Sequence, residues 1–150
     1  MYPFVKNRVR PEITDDLVQE ILLAAWQKLS SFRGDSSLRQ WLLGIAHHKV
    51  QDHYRKRIQE GLVQEEADHS QQQAVAEFEE RLEAGDRREQ FDRVLKLLPD
   101  LYRVALIWRY RDGHSIREIA RETGKTEKSI ERLLARARES FKRSWNDATL

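Results

Sequence analysis

Residues 115–138 read SIREIARETGKTEKSIERLLARAR and predict two short helices joined by a tight turn. Ser115 and Glu118 have the spacing of a capping box, in which the serine caps a helix and the glutamate reaches back to it. Gly124 is placed to end that helix in a left-handed conformation, and Thr126 can cap a new one. The pattern therefore predicts a helix-turn-helix, a motif whose second helix can enter the major groove of DNA.

The second helix of this motif is rich in basic side chains. Arginines pair with guanine edges or with phosphates, and composition alone does not distinguish the two. A helical hairpin that binds no DNA has a similar pattern, so it is the structural alternative at this point. The basic residues on or near the helix are Arg132, Arg136, Arg138, Lys142 and Arg143.

The charge along the chain falls into three blocks, although the net charge of the 150 residues is only +2. Residues 1–57 carry +4, residues 58–92 carry −8 and residues 93–150 carry +6. Basic blocks attract a polyanion, and the acidic block between them is repelled by it. A solvated helix face gives the same kind of charge run, so the charge supports nucleic-acid binding only together with the motif.

The N-terminal block predicts two amphipathic helices. The first follows the capping residues 14–16 (TDD), and its apolar side chains recur at helical spacing over 17–29. The second covers about 38–57. Because Trp26 and Trp41 lie on the apolar faces of these helices, as Trp108 does on a later one, we expect all three to pack in the core.

The loop between the two helices contains Phe32 beside Arg33 and Gly34. Aromatic and arginine side chains in a loop next to a basic helix can stack on and hold an unpaired base. Alternatively, Phe32 only fills the underside of the loop. The sequence leaves both interpretations open.

Composition argues against several other classes of protein. The chain has no cysteine, which excludes disulfides, thiolate metal sites and a cysteine nucleophile. The histidines near Asp52 (His47, His48 and His53) lack the spacing of a metal motif, so we expect no metal and no other cofactor. There is no phosphate-binding glycine loop or catalytic triad, so we expect no enzyme. With no apolar run of about 20 residues we expect no membrane association, and a cytoplasmic location is the default.

Two groups of motifs together resemble region 2 and region 4 of extracytoplasmic-function sigma factors. The order of the motifs, their spacing and the acidic segment between them agree with this family over about residues 4–57 and 91–145. The resemblance starts only near Phe4, so a region 2 shortened at its N-terminal side is expected. The motifs are DLVQE (16–20), AW (25–26), FRGDSS (32–37), WL (41–42) and IA (45–46), then LLP (97–99), YR (102–103), DG (112–113), Ser115, EIA (118–120) and RAR (136–138).

The resemblance implies an all-α fold of two small helical domains joined by an acidic linker. A bundle similar to region 2 would occupy residues 1–57, and a helix-turn-helix domain similar to region 4 would occupy residues 91–150. The linker would occupy residues 58–90, where apolar residues are sparse and a partly helical or disordered chain is expected.

The resemblance also implies a role for each surface, in an RNA polymerase sigma factor that directs promoter-specific initiation. The residues expected to bind the polymerase core are Asp15, Asp16, Gln19 and Glu20. Those expected to bind the minus-ten element are Phe32, Arg33, Gly34, Asp35, Ser36, Ser37, Arg39, Gln40, His47, His48, Gln51 and Arg55. Those expected to bind the minus-thirty-five element are Lys125, Thr126, Glu127, Lys128, Ser129, Arg132, Arg136 and Arg138.

The partners implied are the core RNA polymerase, through its beta-prime clamp helices and beta flap, and promoter DNA. Members of the family are commonly held by an anti-sigma factor, which is a further expected partner. Two alternatives stand beside this hypothesis. One is a stand-alone helix-turn-helix regulator that binds duplex DNA without polymerase. The other is a helical interaction protein whose basic faces bind an acidic partner.

Overall fold

A computed structural model describes residues 1–65 and 88–149, which fold into helices and connecting turns with no strand among them. The described chain divides into two compact units, Met1–Tyr54 and Arg55–Leu150. This confirms the all-α fold class. The part of the expected linker at 66–87 lies outside the described residues. None of the helices in the described ranges is both long and apolar enough to cross a bilayer.

Unit 1 consists of helix α1 (Tyr2–Lys6), helix α2 (Pro11–Lys28), a single 3-10 turn (Leu29–Ser31) and the first part of helix α3 (Leu38–Glu65). Helix α2 begins three residues before the expected cap, because Pro11 occupies its first turn, where a missing N–H costs nothing. The Thr14 hydroxyl donates to the Arg10 carbonyl at 2.9 Å instead of capping the helix.

The core of unit 1 is small and aliphatic. Helix α1 packs on α2, and Phe4 of α1 contacts His47 of α3. The buried apolar residues of the unit are Val5, Val9, Leu17, Ile21, Ala46, Val50 and Tyr54. The expectation that Trp26 packs in the core is wrong, since its side chain is 76% exposed. Only part of the broad apolar face of α2 is therefore covered.

Unit 2 contains helix α4 (Arg88–Leu97), helix α5 (Asp100–Leu106) with a wide turn after it (Ile107–Arg111), helix α6 (Ile116–Thr123) and helix α7 (Glu127–Thr149). Trp108 is fully buried, as predicted, and lies at the centre of this core. Phe141 of α7 packs on Phe91 of α4, with 4.8 Å between the ring centroids. The core of unit 2 has more buried residues than that of unit 1. It holds the predicted helix-turn-helix in place.

Helix α3 continues to Glu65, past the expected start of the linker at residue 58. Its last part, residues 55–65, belongs to unit 2. Ile58 and Leu62 are buried there, so the helix is extended by packing that local sequence preference did not indicate.

Candidate nucleic-acid interface

The turn between α6 and α7 has the geometry that the sequence predicts. The Ser115 hydroxyl accepts a hydrogen bond from the Glu118 backbone N–H at 3.1 Å and donates one to the Glu118 carboxylate at 3.0 Å. Gly124 has a φ of +70°, the left-handed conformation that glycine adopts without strain. Thr126 then caps α7 by accepting from the Ser129 N–H at 3.1 Å. These contacts confirm the capping box and the turn.

Helix α7 presents its first turns to solvent. Thr126, Glu127, Lys128 and Arg132 are exposed, and Lys125, Ser129 and Arg136 are half-buried. An exposed helix start that carries polar and basic side chains has the shape and chemistry to enter a major groove.

Arg138 differs from the other predicted DNA-binding residues of α7. It is only 8% exposed, and its guanidinium donates to the Tyr110 hydroxyl at 3.1 Å. The structure therefore places it inside unit 2, away from the exposed start of the helix.

The loop before α3 is exposed from Arg33 to Ser37. Gly34 makes the turn with a φ of +76°, and the Ser37 hydroxyl caps α3 by accepting from the Gln40 N–H at 3.1 Å. Phe32 is half-buried, and its ring centroid lies 5.2 Å from that of Trp41. This contact anchors the loop on α3 and leaves the rest of the loop accessible.

The following face of α3 is polar and mostly accessible. Arg39, Gln40 and His48 are exposed, whereas His47, Gln51 and Arg55 are half-buried. The Gln51 amide nitrogen lies 2.9 Å from Nε2 of His47, which fixes the position of that imidazole. Arg55 lies on the same helix, but it belongs to unit 2 while the other five belong to unit 1.

Helix α2 carries a second exposed surface. Asp15, Asp16, Gln19 and Glu20 are all exposed, and the Tyr2 hydroxyl donates to the Asp15 carboxylate at 3.4 Å. We call these four residues, together with the exposed apolar residues of the next two turns, the α2 surface. Its apolar members are Leu22, Leu23 and Trp26.

Sequence reasoning missed this apolar part of the α2 surface. Nine apolar residues over positions 17–29 cover more of the helix circumference than a small bundle can bury, and that excess was the available signal. The described residues also contain no group of three or more side chains able to hold a metal ion.

Comparison with known families matches both halves of the chain. The family model of sigma-70 region 2 matches residues 3–60, and that of sigma-70 region 4 matches residues 88–141. The first match covers the loop and most of helix α3, and the second covers the helix-turn-helix.

Individual relatives agree with these matches. The RNA polymerase sigma factor YlaC of Bacillus subtilis is 32% identical over 142 residues, which cover 89% of this chain and 78% of the relative. The ECF RNA polymerase sigma factor EcfG of Rhodopseudomonas palustris is 35% identical over 133 residues, which cover 83% of this chain and 66% of the relative. A solved structure of the sigma factor RpoE with the anti-sigma factor NepR, from Bartonella quintana, is 25% identical, covers 97% of this chain and 89% of that one, and has a TM-score of 0.46. The two family matches and the YlaC relationship show that this chain belongs to the sigma-70 family, as an RNA polymerase sigma factor of the extracytoplasmic-function group.

Proposed function

We propose that this sigma factor binds core RNA polymerase through the α2 surface and reads a promoter with two separate DNA-binding surfaces, without catalytic activity of its own. The observation that carries the proposal is the exposed start of α7, which follows the left-handed Gly124 and presents Lys128 and Arg132 to solvent. Since its partners are polymerase and the chromosome, it would act in the cytoplasm.

The chemistry of the α2 surface fits a helical partner with both basic and apolar side chains. Carboxylates at Asp15, Asp16 and Glu20 supply charge, and Trp26 supplies a large apolar area one turn or more further along. Aromatic side chains at the centre of an interface commonly account for much of the binding energy. The family resemblance implies that this partner is the pair of clamp helices of the beta-prime subunit.

The exposed loop and the polar face of α3 form the proposed minus-ten surface. Opening a base pair costs a few kcal/mol, and capture of the extruded base can offset part of this cost. The loop from Arg33 to Ser37 offers hydrogen-bonding groups for such a base. His48 and Gln40 lie on the adjoining face of the helix, where they can contact the same strand.

The start of α7 forms the proposed minus-thirty-five surface. Arg132 and Lys128 are exposed and can reach base edges or phosphates, and the N–H groups at the helix start favour a phosphate. Arg136 is half-buried and lies one turn further along the helix. An anti-sigma factor and the beta flap of polymerase are kept as expected partners because of the family resemblance.

The proposal is tested by transcription from fragmented genomic DNA with purified core polymerase, with and without this protein. We expect new transcripts whose start sites share two sequence elements at a fixed spacing. Lys128→Ala with Arg132→Ala should abolish dependence on the upstream element, whereas Asp147→Ala, at an exposed position near the end of α7, should leave it unchanged. Duplex binding without any new transcript would instead support the stand-alone regulator.

A further inference from the structure

Glu131 is an acidic residue on the exposed part of helix α7 that forms the proposed minus-thirty-five surface. It lies three residues after Lys128 and one before Arg132, and all three side chains are exposed. Helix α7 begins at Glu127, so Glu131 lies about 6 Å along the axis from the helix start. The first turns of a recognition helix are the part that contacts base edges in the major groove. A carboxylate therefore lies among the residues that would read bases.

The stability of the helix does not account for this carboxylate. An acidic side chain in the first turn is stabilised by the helix dipole, which explains Glu127, but the effect falls off within that turn. Four residues before Glu131 lies the like charge of Glu127, and four residues after it lies the uncharged Ala135. Like charges four residues apart on a helix are destabilising. Alanine at position 131 would therefore suit the isolated helix better than glutamate does.

Internal contacts do not account for the carboxylate either. Within residues 1–65 and 88–149, the Glu131 side chain makes no hydrogen bond or ion pair, even with the nearby Lys128 and Arg132. The ion pair of α7 further along the helix joins Arg143 to Glu139 at 3.8 Å and does not involve Glu131. The exposed carboxylate is therefore available to a ligand.

The chemistry of duplex DNA limits which group can bind a carboxylate in its major groove. The duplex carries one negative charge for about every 1.7 Å of its axis, so its backbone repels an acidic side chain. The donors on the base edges of this groove are exocyclic amino groups, N4 of cytosine and N6 of adenine. Adenine has the N7 acceptor beside its amino group, whereas cytosine presents the donor alone. Cytosine is therefore the base that fits a carboxylate best.

We propose that Glu131 determines specificity by accepting a hydrogen bond from the amino group of a base in the upstream promoter element, with cytosine as the preferred source; this rests on the proposed function. The carboxylate lowers the affinity for DNA in general and offsets that loss only where an amino group faces it. Guanine and thymine present acceptor oxygens at the same place and are rejected. Specificity of this kind depends on repulsion of the wrong partners as well as attraction of the right one.

The two neighbouring cations have the complementary role. Lys128 and Arg132 attract phosphates or a guanine edge, so they supply affinity for the duplex. A third cation at position 131 would strengthen binding to duplexes of every sequence, because phosphate contacts carry no sequence information. The carboxylate instead makes binding depend on the base in front of it.

Selection on a randomised upstream element tests the inference with the complete holoenzyme. One promoter from the genomic transcription experiment is used, its downstream element is kept constant, and each template carries a transcribed barcode. The wild-type protein should enrich an amino-bearing base at one position of one strand, and the identity of that base distinguishes cytosine from adenine. Glu131→Ala should lower discrimination at that position at least about fivefold, the lower end of what one mismatched base pair costs, and leave the other positions unchanged.

Glu131→Gln makes a sharper prediction. Glutamine pairs with adenine through two hydrogen bonds in the major groove, so this variant should shift the preference at the same position from cytosine to adenine. A residue that only supports the fold would not change the preferred base. Asp147→Asn, which removes a carboxylate from an exposed position near the end of α7, is the matched control and should keep the wild-type profile.

The outcomes of this selection separate the inference from the proposed function. Identical base profiles for the wild type, Glu131→Ala and Glu131→Gln would overturn the inference, as would a wild-type preference for guanine or thymine at every position that these variants change. If the wild type enriches no base at any upstream position, the proposed function itself fails.

Binding to duplex DNA of random sequence gives a second measurement, which needs no polymerase. The labelled Glu131→Ala protein should bind such a duplex more tightly than the wild type at low salt, because a repelled charge is gone, and the difference should shrink as salt is raised. Asp147→Asn should bind as the wild type does. Weaker binding by Glu131→Ala, with unchanged thermal unfolding, would overturn the inference because the side chain would then contribute affinity for any sequence.

Discussion

The contact between Ser115 and Glu118 shows how much one residue pair determines at the start of α6. The serine hydroxyl accepts from one backbone N–H and donates to the carboxylate. Together with the serine backbone N–H, that hydroxyl lowers the pKa of the Glu118 carboxyl below its ordinary value of 4.5. Both groups lie within three residues of each other, so this site could be predicted from the sequence.

Loss of the Ser115 cap should destabilise unit 2. Ser115→Ala should lower the free energy of unfolding of unit 2 by about 0.5–2 kcal/mol, the usual cost of a lost helix cap. Amide exchange of the unit 2 backbone in denaturant measures it. Ser140→Ala, in the middle of α7, is the control. An equal loss of stability in that variant would show that the Ser115 cap contributes no more than an ordinary helix serine.

Because the folded-state pKa of Glu118 is lowered, its contribution to stability is present above the unfolded pKa and is lost as the pH falls through the folded value. Glu118→Gln should therefore reduce the acid sensitivity of unit 2. Unfolding midpoints measured from neutral pH down to about pH 3, below the ordinary range for a carboxyl, will test this. Glu122→Gln, on the same helix and exposed, should retain the wild-type pH profile.

Two arginines of α7 should have opposite roles. Arg132 is exposed, and its change to alanine should weaken binding to the upstream element by about 1–3 kcal/mol if it pairs with a guanine, with no loss of stability. Arg138 is buried against Tyr110, so Arg138→Ala should lower the unfolding free energy by about 1–3 kcal/mol instead. DNA titrations and thermal unfolding of both variants separate these effects. An Arg138→Ala protein of normal stability with weak DNA binding would contradict the assignment.

At the level of the helices, capping residues predicted the starts of α6 and α7 and the turn between them, whereas the length of α3 was not predicted. The caps of α6 and α7 were predictable because serine, threonine and glycine act on their own neighbours in the sequence. The extension of α3 to Glu65 could not be predicted, because it depends on distant side chains such as Asp100, which pairs with Arg57. The burial of Arg138 depends in the same way on Tyr110. The exposure of Trp26, by contrast, had a local signal in the excess of apolar residues on α2.

Two exposed glycines should respond oppositely to the same substitution. Gly124→Ala places a side chain at a positive φ and should cost unit 2 about 1–2 kcal/mol. Gly44→Ala lies in the interior of α3 with open space at its Cβ, and it should stabilise unit 1 by about 0.5–1 kcal/mol. Amide exchange reports each unit separately. A loss of stability from Gly44→Ala would indicate a contact that the structure does not show.

At the scale of the whole molecule, the proposed function gives one DNA element to each unit and polymerase binding to the α2 surface. Joining two DNA-binding units through one chain raises the effective concentration of the second for its element once the first is bound. Phosphate contacts should make the affinity of each unit for DNA fall with salt. Recruitment of polymerase is the step on which both depend.

Binding of polymerase through the α2 surface is tested by a fluorescence-anisotropy titration of the labelled protein with purified bacterial core RNA polymerase. We predict saturable binding that Asp16→Ala and Trp26→Ala each weaken, whereas the carboxylate control Asp147→Ala binds as the wild type does. Thermal unfolding of the variants should be unchanged, since both side chains are exposed. The absence of saturable binding, or equal binding by all variants, would contradict the assignment of the α2 surface as the site where this sigma factor engages polymerase.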